Sequence, residues 1–329
     1  MRRGDRLGSL RLHERLASSE TGAVHLGWLV RRERLVAVKR LHPLLVAGPT
    51  EIARVRAETR LATSVEHANV VATFGVVHHP GEMLAAMEYV AGASLAEVMS
   101  ARPAGLAPPI ASAIVAGALR GLHAAHEARA SAVPRCVSGG RILIGEDGRT
   151  RIIGFDVRGP GVLRPTEVID ELPYAAPEQL TRFVIPDGVL RRGVDARRDV
   201  YGASVVLWET LTGRALFHGS TVEHTLRRFL SEDVSAPSSF APHVNAELDA
   251  VVLRGLARDP GERYASASAM AGALDEAGAA ATADVARALA AMDLACVNRR
   301  RALADAVRQR ESRECRSLHT ECNEGGSKR

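Results

Sequence analysis

Val36-Ala37-Val38-Lys39 reads as a short strand that ends on an amine. Small and β-branched apolar residues suit a pleated, half-buried surface. The lysine stands out because the chain otherwise uses arginine: among 43 basic residues the only other Lys is Lys328, near the C-terminus. A compact ammonium on a flexible stem and a planar guanidinium fork are not interchangeable. Four residues alone leave two readings open, a site that needs a point charge or an ordinary strand lysine in an Arg-biased chain. Outward from it, residues 51–65 read as a helix carrying Glu58, followed by His67-Ala68-Asn69-Val70-Val71. Then come Met87-Glu88-Tyr89-Val90-Ala91-Gly92-Ala93-Ser94-Leu95, Ala176-Pro177-Glu178, Asp199-Val200-Tyr201 and Asp259-Pro260-Gly261-Glu262-Arg263-Tyr264.

In this order and at this spacing the motifs resemble those of the protein kinases, in particular the eukaryotic-like (Hanks-type) bacterial Ser/Thr kinases. Val-Ala-x-Lys on a strand resembles the kinase lysine motif, which implies that Lys39 holds nucleotide phosphates and pairs with Glu58. The segment at 67–71 resembles the turn after the kinase αC helix, and Met87 takes the gatekeeper position ahead of a hinge. Asp199 matches the αF helix, and the resemblance pairs Arg263 with Glu178. It covers residues 9–277 and implies an α+β, two-lobed protein-kinase-like fold. A small β-rich N-lobe with one long helix is expected at about 9–87, a hinge at about 88–94, and a larger, mainly helical C-lobe at about 95–277.

The catalytic positions depart from the family. The helix Ala118–Ala128 resembles the one leading into the loop His-Arg-Asp-x-x-x-x-Asn, which a strand follows. With Ile142-Leu143-Ile144 as that strand, the chain reads Pro134-Arg135-Cys136-Val137-Ser138-Gly139-Gly140-Arg141. Cys136 therefore stands at the catalytic Asp and Arg141 at the metal-binding Asn. After the turn Glu146-Asp147-Gly148, Gly154-Phe155-Asp156 replaces Asp-Phe-Gly. In the family the loop Asp accepts the substrate proton, and the Asn and the second Asp hold Mg²⁺. Magnesium needs hard oxygen ligands; Gly154 has no side chain, Arg141 has no acceptor, and Cys136 offers a soft sulfur. Asp156, about 6–7 Å further along an extended chain, is far outside a Mg–O bond of ~2.1 Å. No catalytic group is intact and no metal is expected.

The phosphate-covering loop, Ala17-Ser18-Ser19-Glu20-Thr21-Gly22-Ala23-Val24, keeps only the third glycine and the valine of the family pattern. By resemblance, Val24, Ala37 and Leu143 sandwich an adenine and the backbone from Glu88 to Val90 binds its edge. Any folded lobe would also keep these positions apolar, and both readings stand. Lys39 and Arg141 place positive charge where phosphates would lie, so no cofactor is required, and ATP, if bound, is expected to bind without metal. The active-state scaffold is thin: Ala62 sits four residues after Glu58, and Pro134 replaces the His that stacks on Phe155. Thr166 reads either as a phosphorylation site facing Arg135 or as an ordinary exposed loop residue, and Glu171 replaces a family Thr.

The 329 residues, 46% hydrophobic, suffice for two lobes and an appendix. No apolar run reaches the ~18 residues of a membrane span, and no apolar segment follows Met1-Arg2-Arg3-Gly4-Asp5, so no secretory signal is expected. Four scattered cysteines make no disulfide framework and suit a reducing cytoplasm. Net charge is +5, yet the arginines are dispersed and aromatics are only 4%, so nucleic acid is not an expected partner. An Ala- and Arg-rich composition suggests a bacterial source. Residues 278–310 read as a helical extension. From Asp284 to Arg310, the residues Val285, Leu289, Met292, Cys296, Leu303 and Val307 mostly share one face. That face either packs on its own C-lobe or forms a dimer or partner surface flanked by Arg299-Arg300-Arg301. Residues 311–329 read as a disordered polar tail, and Cys315, His319 and Cys322 lack a fourth zinc ligand.

Together these features imply a pseudokinase, a regulatory or scaffolding module in signalling whose partner is a protein, such as another kinase or a second copy. The alternative is a Ser/Thr protein kinase with residual or atypical ATP-dependent transferase activity, with Cys136 as a nucleophile whose thiolate Arg135 and Arg141 would favour.

Overall fold

A computed structural model of the chain describes residues 6–7, 10–19, 22–79, 82–128, 137–153, 172–179, 196–231 and 233–325. The strands β1 (Arg6–Leu7), β2 (Leu10–Ser19), β3 (Gly22–Leu29), β4 (Arg34–Leu41), β5 (Thr73–His79) and β6 (Glu82–Glu88) form one antiparallel sheet ordered β1-β2-β3-β4-β6-β5. Alternation along β4 sorts its side chains. Val36 and Val38 enter a cluster with Leu10, Leu12 and Leu84. Ala37, Lys39 and Leu41 take the opposite face, where Leu41 packs with Met83 and Val55. Val55 belongs to α1 (Pro49–Thr63), which opens on a proline in its first turn. The long N-lobe helix thus lies on the face that carries Lys39.

Two connections join the lobes. β7 (Gly92–Ser94) already pairs with β8 (Ile142–Gly145), which pairs with β9 (Thr150–Ile152). Residues 89–91 thus link β6 of the first sheet to β7 of the second, within the stretch expected as the hinge. Only glycine fits at 92, because a Cβ there would run into the Ile144 carbonyl oxygen. The second connection is the turn after α1. Val71 N–H donates to Ile152 O (3.0 Å), Ile152 N–H to Asn69 O (2.8 Å), and Asn69 Nδ2 to Thr150 O (2.6 Å).

The C-lobe core gathers around α3 (Pro108–Glu127) and α4 (Arg197–Thr212). α4 is buried on nearly every side, as a helix apolar all round must be. α2 (Leu95–Ala101), α5 (Val222–Ser231), α6 (Ala246–Gly255) and α7 (Ala267–Glu276) surround them. α2 starts with a capping box in which Ser94 and Glu97 satisfy each other's backbone N–H.

The extension differs from its sequence reading in two ways. The helix expected over Asp284–Arg310 is two helices, α8 (Thr282–Ala291) and α9 (Ala295–Gly325), broken at Asp293. Asp293 adopts a left-handed conformation (φ +48°), which a short polar side chain tolerates better than most. The apolar stripe is divided accordingly. Val285, Leu289 and Val297 join the C-lobe core, whereas Ala304 and Val307 are buried further along, where α9 crosses β7, β2 and β3. The tail read as disordered from 311 is helical to Gly325. At its start Glu311 is buried in an ion pair with Arg11 rather than solvated. Among the described residues no helix is long and apolar enough to cross a membrane.

Candidate functional site

Sheet register sets the upper wall of the interlobe cleft. Val24 lies opposite Lys39 on neighbouring strands, and Ala37 opposite Met87. Ala37 is buried, while Val24, Lys39 and Met87 are half-buried. Leu143, half-buried on β8, comes from the C-lobe side, between Ser94 and Arg151. These are the apolar residues that the sequence singled out. At the back, Glu88 N–H donates to Ala72 O at 2.8 Å, so recognition of a purine edge would rest on the remaining backbone groups as far as the half-buried Val90. The Glu88 carboxylate is held by Arg151 Nε at 3.3 Å, and Arg151 also grips Asp147 at 2.8 Å. Burial alone would raise the Asp147 carboxyl, but its hydrogen bonds to Arg151 and to the Arg149 amide hold it below the usual carboxylate range.

Glu58, which the resemblance pairs with Lys39, has a partner on its own helix. Its carboxylate takes Arg54 NH1 at 3.2 Å, one turn earlier on α1. A partner at i−4 on the same helix is always within reach, and a half-exposed pair of this kind is worth only about 0.3–0.5 kcal/mol. This contact is a weak lock on α1.

Below the cleft, Arg141 ends a tight turn at Gly139–Arg141, with its N–H on Ser138 O (3.0 Å) and its carbonyl accepting from Ile153 N–H (2.8 Å). Ile142 faces Ile152 in the β8–β9 hairpin, so residue 141 sits opposite residue 153, the neighbour of Gly154. The first of the two positions at which the family holds metal thus lies at the open end of this hairpin. In sequence it is an arginine, and the second, at 154, is a glycine. That donor set does not fit Mg²⁺, and among the described residues no cluster of His, Cys, Asp or Glu could hold a metal ion. Cys136 and Gly154 lie outside the described residues, as do Pro134, Arg135, Phe155, Asp156, Thr166 and Glu171.

The supporting framework is dense. Arg263, with a fully buried side chain, forms a bidentate pair with Glu178 at 2.9 and 2.8 Å. Its other N–H groups donate to the carbonyls of Ala257 and Arg258. Asp199, buried on α4, meets His126 Nε2 at 2.8 Å. Sequence reasoning missed Glu209, also on α4. Tyr174 OH donates to its Oε2 and Leu216 N–H to its Oε1, each at 3.0 Å, and His218 Nε2 lies 3.3 Å from the Tyr174 oxygen. Burial pushes the Glu209 carboxyl up to about 7, against the pull of these two hydrogen bonds. One signal was available: a lone carboxylate inside the apolar run Val205–Leu211.

A protein kinase domain profile matches residues 10–273. The serine/threonine-protein kinase Pkn1 of Myxococcus xanthus is 31% identical over 274 residues, which are 82% of this chain and 38% of that protein. The serine/threonine-protein kinase PknB of Mycolicibacterium smegmatis is 32% identical over 271 residues, 79% of this chain and 41% of that protein. The chain therefore spans about two fifths of the length of these relatives. Among solved structures, the kinase domain of Mycobacterium tuberculosis PknI superposes with a TM-score of 0.64 at 23% identity, covering 84% of this chain and 99% of that one. Lysine strand, helix, hinge, hairpin and the Glu178–Arg263 pair follow one another within the stretch that the profile matches, and the chain belongs to the protein kinase domain family.

Proposed function

We propose that this chain is a pseudokinase, a family member without phosphoryl transfer that acts as a regulatory or scaffolding module through protein contacts. The observation that carries this reading is Arg141 at the open end of the β8–β9 hairpin, at the position where the family holds Mg²⁺ through an acceptor oxygen. The family pattern supplies two carboxylates near the phosphates. Here Cys136 and Gly154 remove both, and Arg141 adds a cation. No metal-dependent step is derived for such a site. A second reading, residual or atypical ATP-dependent transferase activity, draws on the preserved band of Val24, Ala37, Met87 and Leu143 with Lys39. The partner fits a protein such as another kinase, a signalling protein or a second copy, in a reducing cytoplasm.

On this reading, Lys39 and Arg141 neutralise the phosphates of any bound nucleotide in place of a metal. Opposite charges about 4 Å apart attract by ~4 kcal/mol at an effective dielectric of 20, before desolvation is subtracted. Thermal-shift measurements with ATP, in EDTA and in excess Mg²⁺, test this. Equal stabilisation in both supports metal-free binding, and no stabilisation in either supports a scaffold whose pocket is only core. Stabilisation confined to Mg²⁺ refutes the assignment of Arg141.

A further inference from the structure

The C-terminal helix α9 is tied to both lobes. At its start Val297 is buried in the C-lobe core, and Arg300 clasps Glu97 of α2 through two bonds of 2.9 and 2.7 Å. Arg300 also donates to the Gly92 carbonyl at 3.1 Å, and its own carbonyl accepts from hinge residue Tyr89 OH at 3.3 Å. Arg301 reaches Glu146 in the β8–β9 turn. Eleven residues on, about 16 Å along the helix, the contacts change lobe. Glu311 Oε2 meets Arg11 NH1 of β2 at 2.7 Å, with side-chain exposures of 4% and 7%. Glu314 joins the same guanidinium, and His13 Nε2 lies 3.2 Å from the other Glu311 oxygen. Buried residues recur at 297, 304, 307 and 311, so one face of the helix is covered from Val297 to Glu311.

A short hinge between β6 and β7 permits rigid-body rotation of one lobe against the other. A straight helix anchored on both sides of that hinge opposes it. For the lobes to turn, Arg11 and Glu311 must separate, which leaves buried charges unpaired. We propose that α9 is an interlobe brace: it grips β2 at one end and the hinge, β7 and α2 at the other, and so fixes the lobe angle and the width of the cleft. The residues after the kinase-like domain then belong to its working structure, and release of the Glu311 end is the step that lets the cleft open. This holds whether or not the cleft takes a nucleotide.

Hydrogen exchange on the full chain tests the proposal, with Arg11→Met, Glu311→Met, the double variant and Arg308→Gln. The reporters are the amide of Glu88, bonded to Ala72 O, and that of Glu146, bonded to Ala91 O, which flank the hinge. Each single methionine variant is expected to raise exchange at both reporters and along β2 by at least about tenfold, since each removes one charge of a buried pair that joins α9 to β2. The double variant is expected to fall short of the two effects combined, because both changes break the same pair. Arg308→Gln, which removes an exposed pair with Asp305 on α9, is expected to leave the hinge unchanged. If Glu311→Met does not fold, Glu311→Gln carries the same test with the shape of the side chain kept. Faster exchange confined to residues 303–325 with an unaltered hinge, or no change anywhere, overturns the brace.

Discussion

Glu209 shows what burial does to one carboxylate. Its Oε1 accepts from Leu216 N–H and its Oε2 from Tyr174 OH, yet desolvation prevails and the group titrates near 7 rather than at its ordinary value of 4.5. The folded state therefore binds this proton more tightly than the unfolded chain does. Its stabilising effect is complete below about pH 4.5 and is lost as pH rises through about 7, by at most about 3 kcal/mol. Glu209→Gln keeps the shape and an acceptor for Leu216 but cannot ionise. Thermal midpoints from pH 5 to 8 should decline less in the variant than in the parent, and parallel profiles would show that Glu209 is not the titrating group. Why Lys39, Glu178 and Arg263 were legible in the sequence and Glu209 was not is a matter of distance. Motif residues announce themselves by neighbours in the chain, whereas the ionisation of Glu209 is set by burial in the packing around α4, against the hydrogen bonds from Leu216 and from Tyr174, 35 residues away.

Among elements, α3 is positioned by its glycines. A Cβ at Gly121 would run into the Asn69 carbonyl oxygen, and one at Gly117 would approach Thr150 Cβ at 2.8 Å. The absence of those side chains lets the helix sit against β9 and the turn that carries Asn69 between the lobes. Helix propensity alone predicts that Gly121→Ala stabilises by about 1 kcal/mol. Packing predicts the reverse, a net loss of about 1–3 kcal/mol, because backbone must shift. Denaturant unfolding that gives the variant a lower midpoint supports this contact, and a higher midpoint contradicts it. The sequence reading caught the second half of this helix at Ala118–Ala128 and the strand at Ile142–Ile144, where apolar periodicity is strong. It joined α8 to α9 because the break at Asp293 depends on one backbone angle. It placed disorder after 310 because local polarity cannot reveal that Arg11, three hundred residues earlier, waits for Glu311.

For the whole molecule, the order of motifs sufficed to anticipate a strand-rich lobe, a hinge and a helical lobe. The setting of one lobe against the other was not legible, since it rests on side-chain pairs between distant segments: Arg151 with Glu88, Arg300 with Glu97, and Arg11 with Glu311. The framework that holds a kinase together is thus retained, in the buried Arg263–Glu178 pair and in α4, while the end of the hairpin that should carry metal presents Arg141. Scaffold without metal ligands is the central claim. Phosphate incorporation from labelled ATP in the presence of Mg²⁺, measured on the purified full chain alone and with generic basic proteins, tests it most directly. Incorporation no greater than that of Lys39→Ala is the predicted result, and robust, metal-dependent incorporation that disappears in Lys39→Ala would contradict it.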